Sequence, residues 1–295
     1  MPKHRTTLEQ WRILQAVVDH GGYHQAGDVL HRSPSSLNHA VAKLQQQLGV
    51  EILRVEGRKA LLTPAGEVML RRSRQLTEDA YQIETLSDNL NQGWEPQIRL
   101  AYDAIFPQQP LFSVLKAFHP LSRGSRIRIE ECVLTGTQEC IREARADLVI
   151  CGQVPKGYLG EYLLQIQMIP VCHPDNPLLL GPERLTPQEL TQSLQIVIRD
   201  SGKQPQELLG WLRSEQRWTV DHFDMAINLL LSGLGFAWLP LHSVEKPLQS
   251  GELVRLQLTE GNDRRIPMHL VIPQPDRLGP GARALEQLFL TSDFD

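Results

Sequence analysis

The first fifty residues carry hydrophobic positions at helical spacing, in three short runs. Apolar residues between Leu8 and Val18 repeat with the 3.6-residue period until a glycine pair stops them, and a second run covers 23–30. The third run opens at Ser33, a suitable N-cap, with Pro34 at the first helical position, and it closes at Gly49. The pattern predicts three helices joined by tight turns.

A short hairpin with a basic tip follows the third helix. Two apolar stretches, 51–54 and 60–62, flank a turn that carries Arg58 and Lys59. Two short strands around such a turn predict a two-stranded wing.

From Thr63 a polar helical pattern continues without interruption to about Gln92. A mostly polar helix with one narrow apolar stripe is suited to close packing against another helix. We interpret it as a dimerisation linker; the alternative is a helix that packs on the body of its own chain. The stripe consists of Met69, Leu76, Ile83 and Leu90, with the small residues Ser73, Ala80 and Ser87 between them.

Beyond Pro96 short apolar runs alternate with helical ones. Such alternation predicts an α/β region with largely parallel sheets, and the remaining length suffices for two lobes. The predicted helices include 110–118, 138–144, 206–213, 223–231 and 282–290. The predicted strands are Gln97–Tyr102, Arg126–Val133, Asp147–Cys151, Met168–His173, Leu194–Arg199, Phe236–Leu239 and Pro267–Ile272.

Composition is that of an ordinary globular protein. Of the 295 residues, 41% are hydrophobic and 22% are charged, and no apolar run approaches the roughly 18 residues of a membrane span. The N-terminus leads directly into a helical pattern and not into the apolar core of a signal peptide. We therefore expect a cytoplasmic protein without membrane contact, and we expect no cofactor.

The four cysteines, Cys132, Cys140, Cys151 and Cys172, show no Cys-x-x-Cys spacing and have no neighbouring histidines. Buried reduced thiols are the favoured interpretation, ahead of a redox switch or a metal site. We therefore predict no metal site.

Charge is distributed unevenly along the chain. Residues 1–74 hold 11 Lys and Arg against 6 Asp and Glu, whereas the remainder holds 19 against 28. A basic head on an acidic body indicates that the head binds a polyanion.

The third helix carries short polar side chains on the side opposite its apolar face. Such donors and acceptors near a helix N-terminus are typical of a recognition helix in the major groove, although they would also serve simply to solvate an amphipathic helix. Asn can pair with adenine, and basic residues nearby suit phosphates or the minor groove. The predicted DNA-binding residues are Arg32, Ser33, Ser35, Ser36, Asn38, His39 and Lys43, with Arg54, Arg58 and Lys59 on the wing.

This stretch resembles the LysR-type transcriptional regulators. The resemblance rests on Leu8-x-x-Trp11, Gly21-Gly22-Tyr23-His24-Gln25-Ala26-Gly27, Ser33, Leu44, Leu48-Gly49-Val50, Arg54, Gly57-Arg58 and Leu62-Thr63-Pro64-Ala65-Gly66. Three positions depart from the family pattern: Pro34 stands where Gln is usual, Asn38 where a second Ser is favoured, and Gly27 where a second Ala is usual.

The resemblance implies an α/β fold with an N-terminal winged helix-turn-helix, a long linker helix and a two-lobed periplasmic-binding-protein-like effector domain. The expected boundaries are 1–62 for the DNA-binding domain, 63–95 for the linker, 96–165 with 268–295 for lobe I, and 166–267 for lobe II. It also implies a homodimer or homotetramer on a partly palindromic double-stranded DNA operator.

In lobes of this type a small-molecule effector lies where strand ends and helix N-termini face the cleft. At Thr135 the alternative is a capping box with Gln138, and Asp221 would likewise cap the helix after it. A carboxylate at Asp103 disfavours an anionic effector unless it is paired. The expected effector-binding residues are Asp103, Ala104, Ile105, Thr135, Thr137, Asp200, Ser201 and Phe223.

These features together predict a sequence-specific, effector-responsive transcriptional regulator. We find no G-x-S-x-G, H-E-x-x-H or P-loop motif, so we do not expect an enzyme. Two alternatives remain: a small-molecule-binding module with a vestigial DNA head, and a ligand-transforming α/β enzyme fused to a DNA-binding domain. In the regulator hypothesis, the effector closes the cleft and thereby shifts how the DNA heads engage.

Overall fold

A computed structural model describes residues 4–56, 59–203, 213–261 and 264–294. The chain divides into two compact units, one ending at Asn91 and the other beginning at Gln92. Each unit has its own hydrophobic core.

The N-terminal unit is a winged helix-turn-helix with a long final helix. Its two strands pair antiparallel as the predicted wing. The elements are α1 (Leu8–Asp19), α2 (Tyr23–Leu30), α3 (Pro34–Leu48), β1 (Leu53–Glu56), β2 (Lys59–Leu62) and α4 (Pro64–Asn91).

Local capping explains where these helices begin and end. Thr7 and Gln10 form a reciprocal capping box at the start of α1. Ser33 caps α3 by accepting a hydrogen bond from the backbone N–H of Ser36, and Gly49 ends that helix in the left-handed region with a φ of 72°. The predicted limits of α3 are confirmed. The apolar faces of the first three helices meet in one core that includes Trp11, Leu14, Val17, Leu37, Val41 and Leu44.

The first part of α4 packs on α1, while the rest of its apolar stripe is exposed in the single chain. Gln15 of α1 donates to the hydroxyls of Ser73 and Thr77 at 3.1 and 3.2 Å, and Ser73 is buried there. The predicted stripe is thus partly packed within its own unit and partly exposed. Beyond this contact the exposed large apolar residues of the helix are Leu76, Tyr81, Ile83, Leu86 and Leu90.

In the described part of the second unit, nine strands form one sheet with helices packed around it. Its strands are β3 (Gln97–Asp103), β4 (Arg126–Cys132), β5 (Leu148–Cys151), β6 (Gly160–Cys172), β7 (Gln195–Ile198), β8 (Arg217–Val220), β9 (Phe236–Pro240), β10 (Val254–Arg255) and β11 (Arg264–Val271). Its α-helices are α5 (Gln108–Phe118), α6 (Thr135–Arg142), α7 (Pro187–Thr191), α8 (Phe223–Leu231), α9 (Leu241–Ser250) and α10 (Pro280–Thr291).

The sheet is mixed, so the expectation of largely parallel pairing is wrong. The strand order is β4-β3-β5-β11-β6-β9-β7-β8, with β10 beside β6. β3, β4 and β5 pair parallel, but β11 runs antiparallel to both of its neighbours and β9 runs antiparallel to β6. Short apolar runs reveal that a strand is buried but not its direction, which is why the pattern did not distinguish these cases.

Two long strands, β6 and β11, cross from one half of the unit to the other. The expected lobe boundaries, 165/166 and 267/268, fall inside these strands. Each half has its own buried cluster. The first cluster includes Ile98, Leu100, Phe118, Leu285 and Phe289, and the second includes Ile169, Ile196, Leu230, Leu239 and Val244.

Two strands differ most from the prediction. β6 begins at Gly160, eight residues before the prediction, because its first half alternates exposed and buried positions and lacks a continuous apolar run. β8 is an exposed strand that the pattern did not predict. The helix predicted over 206–213 lies almost entirely outside the described residues.

Candidate DNA-reading helix and effector cavity

The outer face of α3 presents the predicted polar side chains to solvent. Ser33, Ser35, Ser36, Asn38, His39 and Lys43 are all exposed, while Leu37, Val41 and Leu44 beneath them are buried. Ser33 and Ser35 share a hydrogen bond of 3.2 Å at the start of the helix. Within the described part of the chain, Asn38, His39 and Lys43 make no side-chain hydrogen bond or ion pair, so these groups are available to a ligand.

The turn before α3 explains one departure from the family pattern, the glycine at position 27. The backbone N–H of Arg32 donates to the carbonyl of Gly27 at 3.0 Å, which brings the turn close to α2. A Cβ on Gly27 would lie 2.7 Å from the Arg32 carbonyl oxygen and 3.5 Å from Cδ of Pro34. The carbonyl of Arg32 therefore excludes an alanine at position 27, whereas the Pro34 ring would lie at ordinary contact distance from its methyl.

The basic residues that are predicted to contact DNA differ in their exposure and in their ion pairs. Arg32 is exposed but pairs with Glu9 at 2.8 Å, so it reaches DNA only by exchanging that partner. Arg54 is exposed on β1. Arg58 lies outside the described residues, as does the side chain of Lys59, although Lys59 itself belongs to β2.

A cavity of about 430 Å³ lies within the second unit, between its two halves. This volume falls in the range of sites for small organic ligands. Most of the wall is apolar, with β6, β7 and β11 contributing its floor. The apolar lining includes Ile105, Val133, Leu134, Met168, Ile196, Ile198, Phe223, Ile266 and Pro267.

Asp103 is the buried acid of this cavity. It is the last residue of β3, and its carboxylate accepts the backbone N–H of Ile105 at 3.2 Å. Burial raises the pKa of Asp103 to about 7, and repulsion from Asp200 and Glu131 adds to that shift. Near neutral pH the side chain therefore exists in both its charged and its neutral form, and the neutral form can donate a hydrogen bond.

Basic and aromatic residues on another wall of the cavity were not predicted. Arg264 and Arg265 line it from β11, and the guanidinium of Arg264 lies 5.1 Å from the ring centre of Trp238. The indole nitrogen of Trp238 is buried and has no hydrogen-bond partner in the described structure. Partial burial, and secondarily the charge of Arg213, lowers the pKa of Arg264. The adjacent arginines at the start of an apolar strand were the only sequence signal for this wall.

The two halves are joined beside the cavity by a hydrogen-bonded contact between Thr135 and Asp200. The hydroxyl of Thr135 donates to the Asp200 carboxylate at 2.8 Å, and the backbone N–H of Thr135 donates to it at 3.1 Å. The backbone N–H of Val133 donates to the hydroxyl of Ser201 at 2.8 Å. The turn from β4 into α6 is thus held to the loop after β7.

Both capping alternatives are wrong. Leu134 is the N-cap of α6 and Thr135 already lies inside the helix, where its hydroxyl is bonded to Asp200 and not to Gln138. Asp221 precedes the N-cap of α8 by one residue and pairs with Arg199 at 2.8 Å.

The expected effector residues fall into two groups. Asp103, Ile105, Thr137 and Phe223 line the cavity. Thr135, Asp200 and Ser201 join the halves, and Ala104 donates its backbone N–H to the carbonyl of Cys132 at 2.8 Å. The cavity thus contains half of the expected set.

A winged helix-turn-helix combined with an α/β unit that encloses a small-molecule cavity defines a class of protein, the ligand-responsive DNA-binding regulators. Family models specify the class further. The model "Bacterial regulatory helix-turn-helix protein, lysR family" matches residues 8–67, and "LysR substrate binding domain" matches residues 91–292. The chain belongs to the LysR family of transcriptional regulators, with a DNA-binding helix-turn-helix and an effector-binding domain.

Two relatives with similar sequences agree with this assignment. The probable HTH-type transcriptional regulator YhaJ of Escherichia coli K12 is 30% identical over 259 residues, which cover 86% of this chain and 87% of YhaJ. The uncharacterised regulator YeeY of the same organism is 27% identical over 252 residues, covering 84% of this chain and 82% of its own.

The fold is also that of full-length regulators. The structure of CbnR, a LysR family regulator, has a TM-score of 0.51 at 17% identity, covering 96% of this chain and 100% of CbnR. The Vibrio cholerae virulence activator AphB has a TM-score of 0.50 at 16% identity, covering 97% and 99%. None of the helices among the described residues has both the length and the hydropathy to cross a membrane.

Proposed function

We propose that this regulator binds a specific operator through α3 and changes that binding when a small organic effector occupies the cavity of the second unit. The cavity carries the proposal, because an apolar space of about 430 Å³ with a few convergent polar groups is the usual form of a ligand site. We also infer that the protein acts by binding and not by turnover, as a regulator in the bacterial cytoplasm.

Four residues are proposed to read base edges or the adjacent backbone: Ser35, Ser36, Asn38 and His39. The proposal is supported by the exposure of these four side chains on the first turns of a capped helix, whose opposite face is buried. Lys43 lies one to two turns further along α3 and is proposed to contact phosphate. The wing residues Arg54, Arg58 and Lys59, together with Arg32 and Ser33, are proposed to complete the contact with the backbone or minor groove.

We propose that two chains pair through α4. Ile83 is 69% exposed and Leu76 is 47% exposed in the single chain, at seven-residue spacing on one side of the helix. A self-associating helix pair would cover this stripe, and pairing would place two recognition helices about one helical turn of DNA apart, or a multiple of it. Homotetramers would follow from further contacts between such dimers.

The lining of the cavity favours an effector with an apolar body and one acceptor or anionic group. The buried indole N–H of Trp238 and the guanidinium groups of Arg264 and Arg265 are donors on the same wall. Asp103 is expected not to repel an anionic group when it holds its proton. Its carboxyl then provides a second polar contact, for a hydroxyl or a carbonyl.

The first test is selection of genomic fragments by the purified full-length protein, followed by titration of a selected fragment against salt. A few fragments retained at nanomolar protein, with log affinity falling linearly in log salt, would support operator recognition. Uniformly weak binding of every fragment would overturn it. Effector binding is tested separately, by a screen of small organic acids and phenols for a thermal shift. Arg264→Gln should abolish this shift, and Lys116→Gln, at an exposed position of α5, should retain it.

A further inference from the structure

Three metal-ligating side chains meet under α6, away from the lining of the effector cavity. The Sγ atoms of Cys132 and Cys140 are 3.8 Å apart. One oxygen of Glu130 lies 3.9 Å from Cys132 Sγ and 3.7 Å from Cys140 Sγ. The three donor atoms therefore form a nearly equilateral triangle.

This triangle has the dimensions of one face of a tetrahedral zinc site. With Zn–S bonds of about 2.3 Å and Zn–O bonds of about 2.1 Å, tetrahedral angles place neighbouring ligand atoms roughly 3.6–3.8 Å apart. An ion placed above the triangle would reach all three donors with little movement of the side chains. The fourth coordination position would remain for a water or an exogenous ligand.

A disulfide between the same cysteines explains the arrangement less well. The sulfurs would have to approach each other from 3.8 Å to about 2.05 Å. The Glu130 carboxylate, which is directed at both sulfurs, would have no part in that bond.

Charge balance also fits a divalent cation. Arg145 donates to the same Glu130 oxygen at 3.0 Å. Two thiolates, one carboxylate and one divalent ion sum to one negative charge, which lies beside the Arg145 guanidinium that also pairs with Glu143 at 3.0 Å. Exchange of two thiol protons for the ion therefore leaves the net charge of the cluster unchanged, so binding imposes no new buried charge.

The cluster is accessible from solvent and lies close to residues of the cavity wall, which suits a regulatory metal ion. Both sulfurs are buried, whereas Glu130 is half-buried and opens the cluster to solvent. Cys132 is followed directly by Val133 of the cavity wall, and α6 carries Cys140 together with Thr137, which also lines the cavity.

We propose that Glu130, Cys132 and Cys140 form a binding site for a thiophilic divalent cation of the Zn²⁺ type, with Arg145 as a positioning residue for Glu130. The site lies in the first half of the α/β unit and is separate from the effector cavity. The metal ion and the effector would then both contact residues of α6.

The test is a Co²⁺ titration of the full-length protein after full reduction and removal of metal by a chelator. We expect one equivalent of Co²⁺ to give a thiolate-to-cobalt charge-transfer band with the visible bands of tetrahedral coordination, and Zn²⁺ to displace it. Cys132→Ala and Cys140→Ala should lose the charge-transfer band. Cys172→Ala, which removes another buried thiol, should retain it.

Two milder variants keep the test decisive if the cysteine variants do not fold. Glu130→Gln and Arg145→Gln leave both sulfurs in place. Arg145→Gln should weaken Co²⁺ binding by about 10- to 100-fold, and Glu130→Gln, which removes a ligand, by at least as much. The proposal is overturned if wild-type protein gives no charge-transfer band, or if the band persists in Cys140→Ala. Isolation of a Cys132–Cys140 disulfide in protein that takes up no Co²⁺ after reduction would overturn it in favour of a redox pair.

Discussion

The carboxylate of Asp200 accepts hydrogen bonds from both the hydroxyl and the backbone N–H of Thr135, at 2.8 and 3.1 Å. Thr135 begins α6 in the first half of the α/β unit, whereas Asp200 follows β7 in the second. Two residues that the family pattern places at an effector site thus hold the halves together beside the cavity. Any separation of the halves at this point would have to break both hydrogen bonds.

Thr135→Val removes the hydroxyl and preserves the shape of the side chain. Because Asp200 then loses a hydrogen bond at a buried site, we expect the free energy of unfolding to fall by about 1–2 kcal/mol. Urea denaturation of the full-length protein measures this change. Thr191→Val is the matched control, since the half-buried Thr191 hydroxyl donates to the carbonyl of Pro187 within its own helix and not across the halves. Equal losses in the two variants would show that the contact between the halves contributes nothing specific.

Asp103→Asn should stabilise the protein at pH 8 more than at pH 4. Burial raises the pKa of Asp103 from 3.8 to about 7, so between these values the folded state retains a proton that the unfolded chain has lost. The free energy of unfolding therefore falls as the pH rises through this window, and the cost is fully present above pH 7. Asparagine removes that cost while its amide oxygen still accepts the Ile105 N–H.

The expected gain at pH 8 is on the order of a few kcal/mol, and it should be close to zero at pH 4. Urea denaturation at both pH values measures it. Asp276→Asn, at an exposed position, controls for the loss of a carboxyl group. A change in Asp103→Asn that is the same at both pH values would contradict the assignment.

Lys43→Ala should weaken binding to all DNA sequences alike and reduce the slope of log affinity against log salt by about one. The reason is the loss of a single phosphate contact. Fluorescence anisotropy on one operator and one unrelated duplex, at several salt concentrations, measures both slopes. Lys116→Ala removes an exposed charge from α5 and should leave them unchanged. A loss confined to the operator would instead place Lys43 at a base.

Asn38→Ala should act mainly on specificity. Loss of a bidentate pairing with a base costs about 1–3 kcal/mol at the cognate position and relaxes the preference there. The measurement is selection of binding sites from a randomised operator by the variant and by wild type. Gln46→Ala, an exposed change later on α3, is the control. Unchanged preference at every operator position would exclude Asn38 from base reading.

Ile83→Glu should convert the protein to a monomer, because it introduces a charge into the proposed helix-pair contact. Sedimentation velocity measures the oligomeric state, and operator affinity should fall with it. Thr85→Glu adds the same charge on the opposite side of α4 and should leave the assembly intact. If both variants sediment like wild type, α4 is not the contact between chains.

The helices of the DNA-binding unit could be predicted nearly to the residue because their signals are local, whereas the first wing strand, predicted over 51–54, runs over Leu53–Glu56. Ser33, Pro34 and Gly49 define α3 through capping and backbone preference, which depend on a few adjacent residues. The exposure of Asn38 and His39 follows from the period of the helix once Leu37 and Val41 are buried.

The cavity could be predicted only in part, since its walls come from distant segments. Asp103 and Thr137 were found because they follow strand ends, but Arg264 and Trp238 meet only through the pairing of β11 with β6 and of β6 with β9. Likewise, Cys132 and Cys140 are eight residues apart, which matches no metal-binding spacing in sequence. The strand–turn–helix that connects them brings their sulfurs together.

The passage of β6 and β11 through both halves of the α/β unit has a mechanical consequence. Two hydrogen-bonded strands form a ribbon that resists being pulled apart but twists readily, and its ladder has a single irregularity, between Met268 and His269. Opening of the cavity would therefore occur as torsion about this ribbon, with the backbone ladder intact. Effector binding would then change the twist of β6 and β11, and this change would reach surfaces of the unit that lie far from the ligand.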